Sequence, residues 1–239
     1  MNLAVQPLYA AAEARLRAQI AGGRWKPGAA LPPEHELAAE LGISQGTLRR
    51  ALAGLERQRV IERRQGVGTY VTEATSERAL FHFFRAVLPD GARPSPTTRI
   101  EEFATRSCTA AEAASLRLSP GAPVHALRRL RLVEGQAVIA ERIVVPTALM
   151  PRLALPVGVE LSEELYVLYQ RVHGVTVTRV EERLAADAAP GEVAAALGCA
   201  TAAPLLWIER VAIDMLERPV ELRLSWMATD RLRYAITLE

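Results

Sequence analysis

Cysteine is nearly absent from this 239-residue sequence, and its two copies, Cys108 and Cys199, stand far apart without CxxC spacing. That excludes a disulfide framework, a cysteine-based zinc site and an iron–sulfur cluster, and leaves both as small buried apolar residues. Long apolar runs are missing too. Arg, Glu or Asp interrupts every stretch before it reaches the roughly 18 residues of a membrane helix, so no membrane partner is expected. Met1–Leu8 has no basic flank leading into an apolar core, hence no secretory leader and an expected place in the cytoplasm. His125 and His173 have no carboxylates near them at metal-ligand spacing, and neither a nucleophile elbow nor a phosphate loop occurs. No metal, cofactor or enzymatic activity is therefore expected. Lysine is almost lacking, with Lys26 the only one, so arginine carries the positive charge. Excess charge is missing as well: 29 Lys plus Arg face 27 Asp plus Glu, for a net +2. Such a balance ordinarily argues against a phosphate-rich partner.

What is present is an apolar half of the composition, enough for a real core, and a length that suits two domains. Their charges differ. Residues 1–75 hold ten basic against seven acidic side chains, and the remainder 19 against 20. Within 44–70 the contrast sharpens, because Arg49, Arg50, Arg57, Arg59, Arg63 and Arg64 face only Glu56 and Glu62. A local +4 is a candidate footprint for nucleic acid if a suitable scaffold carries it.

The scaffold is legible. Leu8, Ala12, Leu16 and Ile20 recur at helical spacing behind Pro7 and stop at Gly22-Gly23. Glu34–Leu41 predicts a short second helix ended by Gly42. Ser44 then caps a third, in which Leu48, Ala51, Leu52 and Leu55 form an apolar stripe opposite Gln45, Arg49, Arg50 and Arg57. Helix, tight turn and helix predict a helix-turn-helix. Val60–Arg64 and Thr69–Val71, joined across Gly66 and Gly68, predict a hairpin wing.

Pro7-Leu8-Tyr9, Pro27-Gly28, Leu31-Pro32, Glu34, Glu36-Leu37-Ala38, Leu41–Ser44, Thr47-Leu48-Arg49, Ala51-Leu52, Leu55 and Arg63–Val71 together resemble the winged-helix domain of the GntR superfamily of bacterial transcription regulators. The resemblance implies base contacts from the start of the third helix, phosphate contacts beside it, and a wing tip in the minor groove. It nominates Gln45, Thr47 and Arg49, then Arg64, Gln65 and Gly66, with Ser44 and Thr47 placed to hold a phosphate at the helix N-terminus. Arg50 points about 100° away from Arg49 and is assigned to phosphate. Arg57 and Arg59 read as a solvated helix end. Two positions depart from the family, which commonly has arginine at both: His35, read either as a weaker phosphate contact or as an exposed helix histidine, and Gln45. Glutamine pairs with adenine N6 and N7 where arginine prefers guanine, so an operator of altered bases is expected.

Beyond the wing, Leu116–Leu132 repeats as Leu197–Ile213, with Pro123 on Pro204 and Arg129 on Arg210. Each copy reads as an Ala-rich helix, a proline-started strand, a turn and a second strand. Two such units predict an antiparallel sheet with helices on one face. Gly91 with Pro94, Arg129-Leu130-Arg131, Glu141–Pro146, Leu165-Tyr166, Pro219-Val220-Glu221 and Asp230-Arg231 resemble the UTRA effector domain of the HutC branch, whose fold is similar to chorismate lyase. The fold class expected is α+β: a winged helix-turn-helix domain over 1–73, a linker over 74–80, and an effector-binding and dimerisation domain over 81–239. The resemblance implies a small effector held near Arg129, Arg131, Glu141, Tyr166 and Glu221, with Thr97 on the preceding loop. Arg129 and Arg131 share one strand face and can grip an anionic group. Alternatively, they pair with Glu141 across strands and hold no ligand. Glu164 stands where phosphosugar-binding members tend to have Ser and would repel a phosphate, which points to an organic acid, amino acid or zwitterion. The function expected is a regulator, a repressor by the resemblance, whose homodimer binds double-stranded DNA at a palindromic operator under control of a small-molecule effector. The alternatives are a second domain that only dimerises, or a lyase-like enzyme.

Overall fold

The computed structural model describes residues 7–237; Met1–Gln6, on which the leader expectation bears, lie outside them. The chain divides into two compact units: the first runs to Ala74 and also includes Asp214–Glu217, and the second is Thr75–Ile213 with the chain from Arg218 onward.

In the first unit, α1 (Leu8–Ala21), α2 (Glu34–Leu41) and α3 (Gln45–Arg57) precede β1 (Ile61–Arg64) and β2 (Gly68–Val71). The 3.6-residue stripe of α3 places Leu48, Ala51, Leu52 and Leu55 inward, all buried. Leu48, Leu52 and Leu55 pack with Leu16 and Ile20 of α1 and Leu37 of α2. Each buried leucine contributes roughly 1.5–3 kcal/mol relative to exposure, so this stripe fixes how α3 is presented. Gly42 takes φ +67° at the C-cap of α2, a left-handed turn that lets α3 start three residues later, at Gln45. The wing pairs Ile61 with Val71 and Arg64 with Gly68, and Ala30 bridges Tyr70 beside it.

The second unit contains α4 (Ser76–Phe83), β3 (Ala86–Val87), β4 (Thr97–Ser107), α5 (Ala110–Leu116), β5 (Pro123–Val133) and β6 (Gln136–Pro146). Then follow β7 (Glu160–Leu161), α6 (Leu165–His173), β8 (Val177–Ala188), α7 (Gly191–Leu197), β9 (Pro204–Asp214), β10 (Pro219–Ala228) and β11 (Arg233–Tyr234). A seven-stranded sheet has the order β7-β4-β5-β6-β10-β9-β8. The two repeats are therefore neighbours, joined where β6 meets β10, and each is longer than its sequence signature, since β4 and β8 precede the repeated helices.

Three expectations change. The stretch expected as a linker at 74–80 is largely helical: Thr75 caps α4 by accepting from the Arg78 amide at 3.2 Å, and Ala79 is buried. The sheet is covered on both faces. Even-numbered β5 residues such as Leu130 and Leu132 pack with Val193 and Leu197 of α7, whereas Leu127 packs with Tyr166 and Tyr169 of α6. Thr97 does not lie on a loop; it opens β4.

Candidate functional site

The N-terminal face of α3 is built around its cap. Ser44 Oγ accepts from the Thr47 amide at 3.1 Å and lies 2.9 Å from Thr47 Oγ1, which orients both hydroxyls at the positive end of the helix. Gln45 is exposed on the first turn. Arg49, one turn on, donates from Nε to Glu34 Oε2 at 2.7 Å. Glu34 also lies 3.7 Å from Arg63 of the wing, and Arg63 lies 3.7 Å from Glu56. Thus one carboxylate at the start of α2 ties the third helix to the wing. Arg50 diverges from Arg49 as helix geometry requires, and its guanidinium sits 3.8 Å from the Tyr9 ring centroid, a cation–π contact. In the wing, Arg64 donates to Glu62 at 2.9 Å and lies 4.2 Å from the Tyr70 ring. Gln65 and Gly66 are exposed at the tip, where Gly66 has φ +71° and open space at the position of a Cβ. His35 is exposed, its Nε2 3.9 Å from Glu36. The sequence nominated nearly all of this surface but not Tyr9, Glu34 or Arg63, whose roles arise from contacts distant in sequence.

The second site lies on the α6 face of the sheet. Register sets it in rows: Arg129 opposes Glu141, which opposes Ser225, and Arg131 opposes Thr98. On β9 and β10, Arg210 opposes Arg223. All of these but Thr98 line a cavity of about 40 Å³, which is also lined by Phe83 and Phe84 and by Leu165 and Tyr166 of α6.

Charge in this cavity is dense and paired. Arg129 hydrogen-bonds Glu141. Arg131 grips Glu164 through two parallel bonds of 2.7 Å and donates to Thr98 Oγ1 at 3.2 Å. Arg223 contacts Glu221 at 2.6 Å and Glu141 at 3.6 Å, and Arg210 donates to Glu182 at 2.7 Å. Ser225 donates to Glu141 Oε1 at 3.1 Å. Burial opposes ionisation of Glu141, but Arg129, Arg223 and Arg131 outweigh it and bring the carboxyl down to about 2. For Arg129, burial prevails over the pull of Glu141 and lowers its proton affinity. Burial and the Glu221 carboxylate push Tyr166 up to about 12, so its hydroxyl stays a donor, held 3.2 Å from Glu221 Oε1. Two buried donors, Arg129 Nη1 and Arg131 Nε, have no hydrogen-bond partner among the described residues.

Of the nominated residues, Arg129, Arg131, Glu141, Glu164 and Tyr166 line this cavity. Glu221, fully buried, stands behind the wall and fixes Tyr166, Tyr169 and Arg223. Thr97 faces away, bonding Glu160 of β7 at 3.1 Å; its neighbour Thr98 meets Arg131. Arg210, Arg223 and Ser225 were missed, although the internal repeat aligns Arg210 with Arg129. His125 is structural, bonded to Thr105 and the Met150 carbonyl at 3.0 Å each. Among the described residues no cluster of potential metal ligands occurs and no helix is long and apolar enough to cross a membrane.

A capped helix with an arginine-bearing wing, joined in one chain to an arginine-lined sheet cavity, defines a two-module DNA-binding regulator. Residues 8–71 match the model of the gntR family of bacterial regulatory proteins, and residues 92–233 match the UTRA domain. The chain belongs to the gntR family of transcription regulators that carry a UTRA domain. It is 30% identical over 178 residues to the HTH-type transcriptional regulator SmoD of Agrobacterium fabrum, covering 74% of this chain and 73% of the relative. It is 28% identical over 207 residues to the transcriptional repressor NagR of Bacillus subtilis, covering 85% and 83%. The ligand-binding domain of a GntR-family regulator from Bordetella bronchiseptica superposes with a TM-score of 0.61 at 26% identity, over 66% of this chain and 98% of that one. PhnF of Mycobacterium smegmatis shares the fold, with a TM-score of 0.56 at 23% identity over 95% and 99%. These relatives and families are transcription regulators, not enzymes.

Proposed function

We propose that this chain is a cytoplasmic repressor of the HutC branch. It acts as a homodimer on a palindromic operator, and a small anionic or zwitterionic metabolite in the cavity of the second unit sets its DNA affinity. The observation that carries the effector reading is the pair of buried guanidinium donors without partners, Arg129 Nη1 and Arg131 Nε, on one cavity wall. Buried donors are normally satisfied, so an unfilled pair in a cavity suits an acceptor-bearing ligand. In the first unit, the hydroxyls of Ser44 and Thr47 and the exposed Gln45 and Arg49 at the start of α3, with Arg50 diverging beside them and Arg64 exposed on the wing, suit a major-groove contact with wing support. The name of NagR as a repressor supports the sign of regulation. The domain assignment proposed is DNA binding over 1–73, a connection over 74–80 that includes the start of α4, and effector binding and dimerisation over 81–239.

Gel mobility with genomic fragments, followed by recovery of the protected site, tests the DNA half. The expected site is a palindrome with half-sites about 34 Å apart, one helical turn. Recovered fragments with no palindromic preference at moderate salt overturn it. A second reading has an observation of its own: all four buried arginines of the cavity already have carboxylate partners, as in a cross-strand lock that binds nothing. A metabolite screen by thermal shift separates the two, because a ligand that binds only the folded state raises the unfolding temperature.

A further inference from the structure

The cavity's hydrogen-bond inventory is lopsided. Every carboxylate oxygen facing it already accepts: Glu164 gives both oxygens to Arg131, and Glu141 gives one to Arg129 and the other to Ser225. The atoms left without any partner are donors, Arg129 Nη1 and Arg131 Nε, on two residues each only 1% exposed. An acceptor-bearing occupant would satisfy these two donors, whereas an ammonium group would find no uncompensated negative charge, because Glu141 and Glu164 are each paired with an arginine.

Charge narrows the choice further. Arg129, Arg131, Arg210 and Arg223 are matched by Glu141, Glu164, Glu182 and Glu221, and the remaining cation on the wall is the half-buried Arg85. In a desolvated site, adding charge beyond what the wall can neutralise is costly. A phosphate brings roughly −1.5 to −2 at neutral pH, whereas a carboxylate brings a single charge and two acceptor oxygens.

Glu164 sets this balance. It stands at the N-cap of α6 but makes no capping bond from its side chain. Instead its carboxylate occupies the guanidinium fork of Arg131 in the bidentate manner an anionic ligand would use. We propose that Glu164 is the built-in counter-ion of this cavity and makes it select a ligand presenting one carboxylate over one presenting a phosphate. The inference rests on the cavity being the effector site.

The test is thermal unfolding of the full chain at constant ionic strength, with acetate and inorganic phosphate as probes against chloride. Wild type responds saturably to acetate and no more to phosphate than to chloride. Glu164→Gln keeps one acceptor oxygen for the Arg131 fork in place of two and leaves one positive charge uncompensated; it gains a saturable phosphate response, at least tenfold tighter than wild type shows. The double variant Glu164→Gln/Arg131→Gln loses that gain, which assigns it to the cavity. Glu164→Asp retains the charge and keeps the wild-type preference, a readout available even if the glutamine variant does not fold. The proposal is overturned if wild type binds phosphate as tightly as acetate, or if Glu164→Gln or Glu164→Asp departs from these preferences. If neither probe moves wild type or any variant, the effector-site reading falls with it. A phosphate response in wild type removes the counter-ion role alone.

Discussion

Glu141 is a carboxylate with almost no access to water, opposed across the strand by Arg129 and approached by Arg223. Burial raises its proton affinity, and the surrounding guanidiniums lower it more, to about 2 from an ordinary 4.5. A carboxyl whose folded value lies below its unfolded one stabilises the fold in full above the unfolded value, and that contribution disappears as pH falls toward the folded one. The second unit is thus expected to weaken between about pH 4.5 and pH 2 as Glu141 takes up its proton. Glu141→Gln leaves Arg129 as an uncompensated buried charge, with an expected cost of about 3–5 kcal/mol near neutrality. The same variant flattens the acid dependence in that window. Urea unfolding of both proteins across pH 3 to 7 checks this, and an equally steep acid loss in the variant contradicts it.

At the scale of elements, α3 shows what periodicity can deliver. Its stripe, its cap at Ser44 and the turn at Gly42 are local signals, and each is realised as read. The exposed face follows from the same geometry, so a specificity prediction attaches to it. Gln45→Arg should move the selected half-site from adenine toward guanine, with about 1–3 kcal/mol of discrimination for the exchanged pair. In-vitro selection on both proteins checks it, and an identical consensus refutes it. The second unit was less legible where order depends on register. Thr97 and Thr98 are adjacent, yet only one can face Arg131, and a shift of a single residue along a strand exchanges faces. β8 alternates weakly because most of its side chains are exposed, which hides a 12-residue strand from hydropathy. The eight residues of α4 bury little more than Ala79, too small a stripe to separate helix from linker. Arg210 was within reach, since the repeat aligns it with Arg129; what the alignment could not supply was that both copies face one cavity. The ion pair of Arg131 with Glu164 joins β5 to the start of α6 across 33 residues, a distance over which spacing carries no information.

For the whole molecule, a net charge of +2 looks inconsistent with binding DNA until its local distribution is considered. The basic segment within 44–70 is itself partly neutralised. Glu34 holds Arg49 and approaches Arg63, while Glu62 holds Arg64. These pairs are exposed and individually weak, so their effect falls on DNA affinity more than on stability. An arginine held by a carboxylate must exchange partners before it can neutralise a phosphate, and that exchange suppresses binding to arbitrary sequence more than to a site offering base contacts in return. Removing the shared carboxylate by Glu34→Gln should therefore strengthen binding to non-operator DNA. Each arginine released onto a phosphate adds about 0.9 to the magnitude of the slope of log K against log salt. With Arg49 and Arg63 both released, the expected steepening is roughly one to two per DNA-binding head. Titration of operator and scrambled duplexes across a salt series measures it. An unchanged slope on scrambled DNA would mean that Arg49 and Arg63 leave Glu34 without cost in the wild-type complex, and the ion pairs would then have no part in specificity.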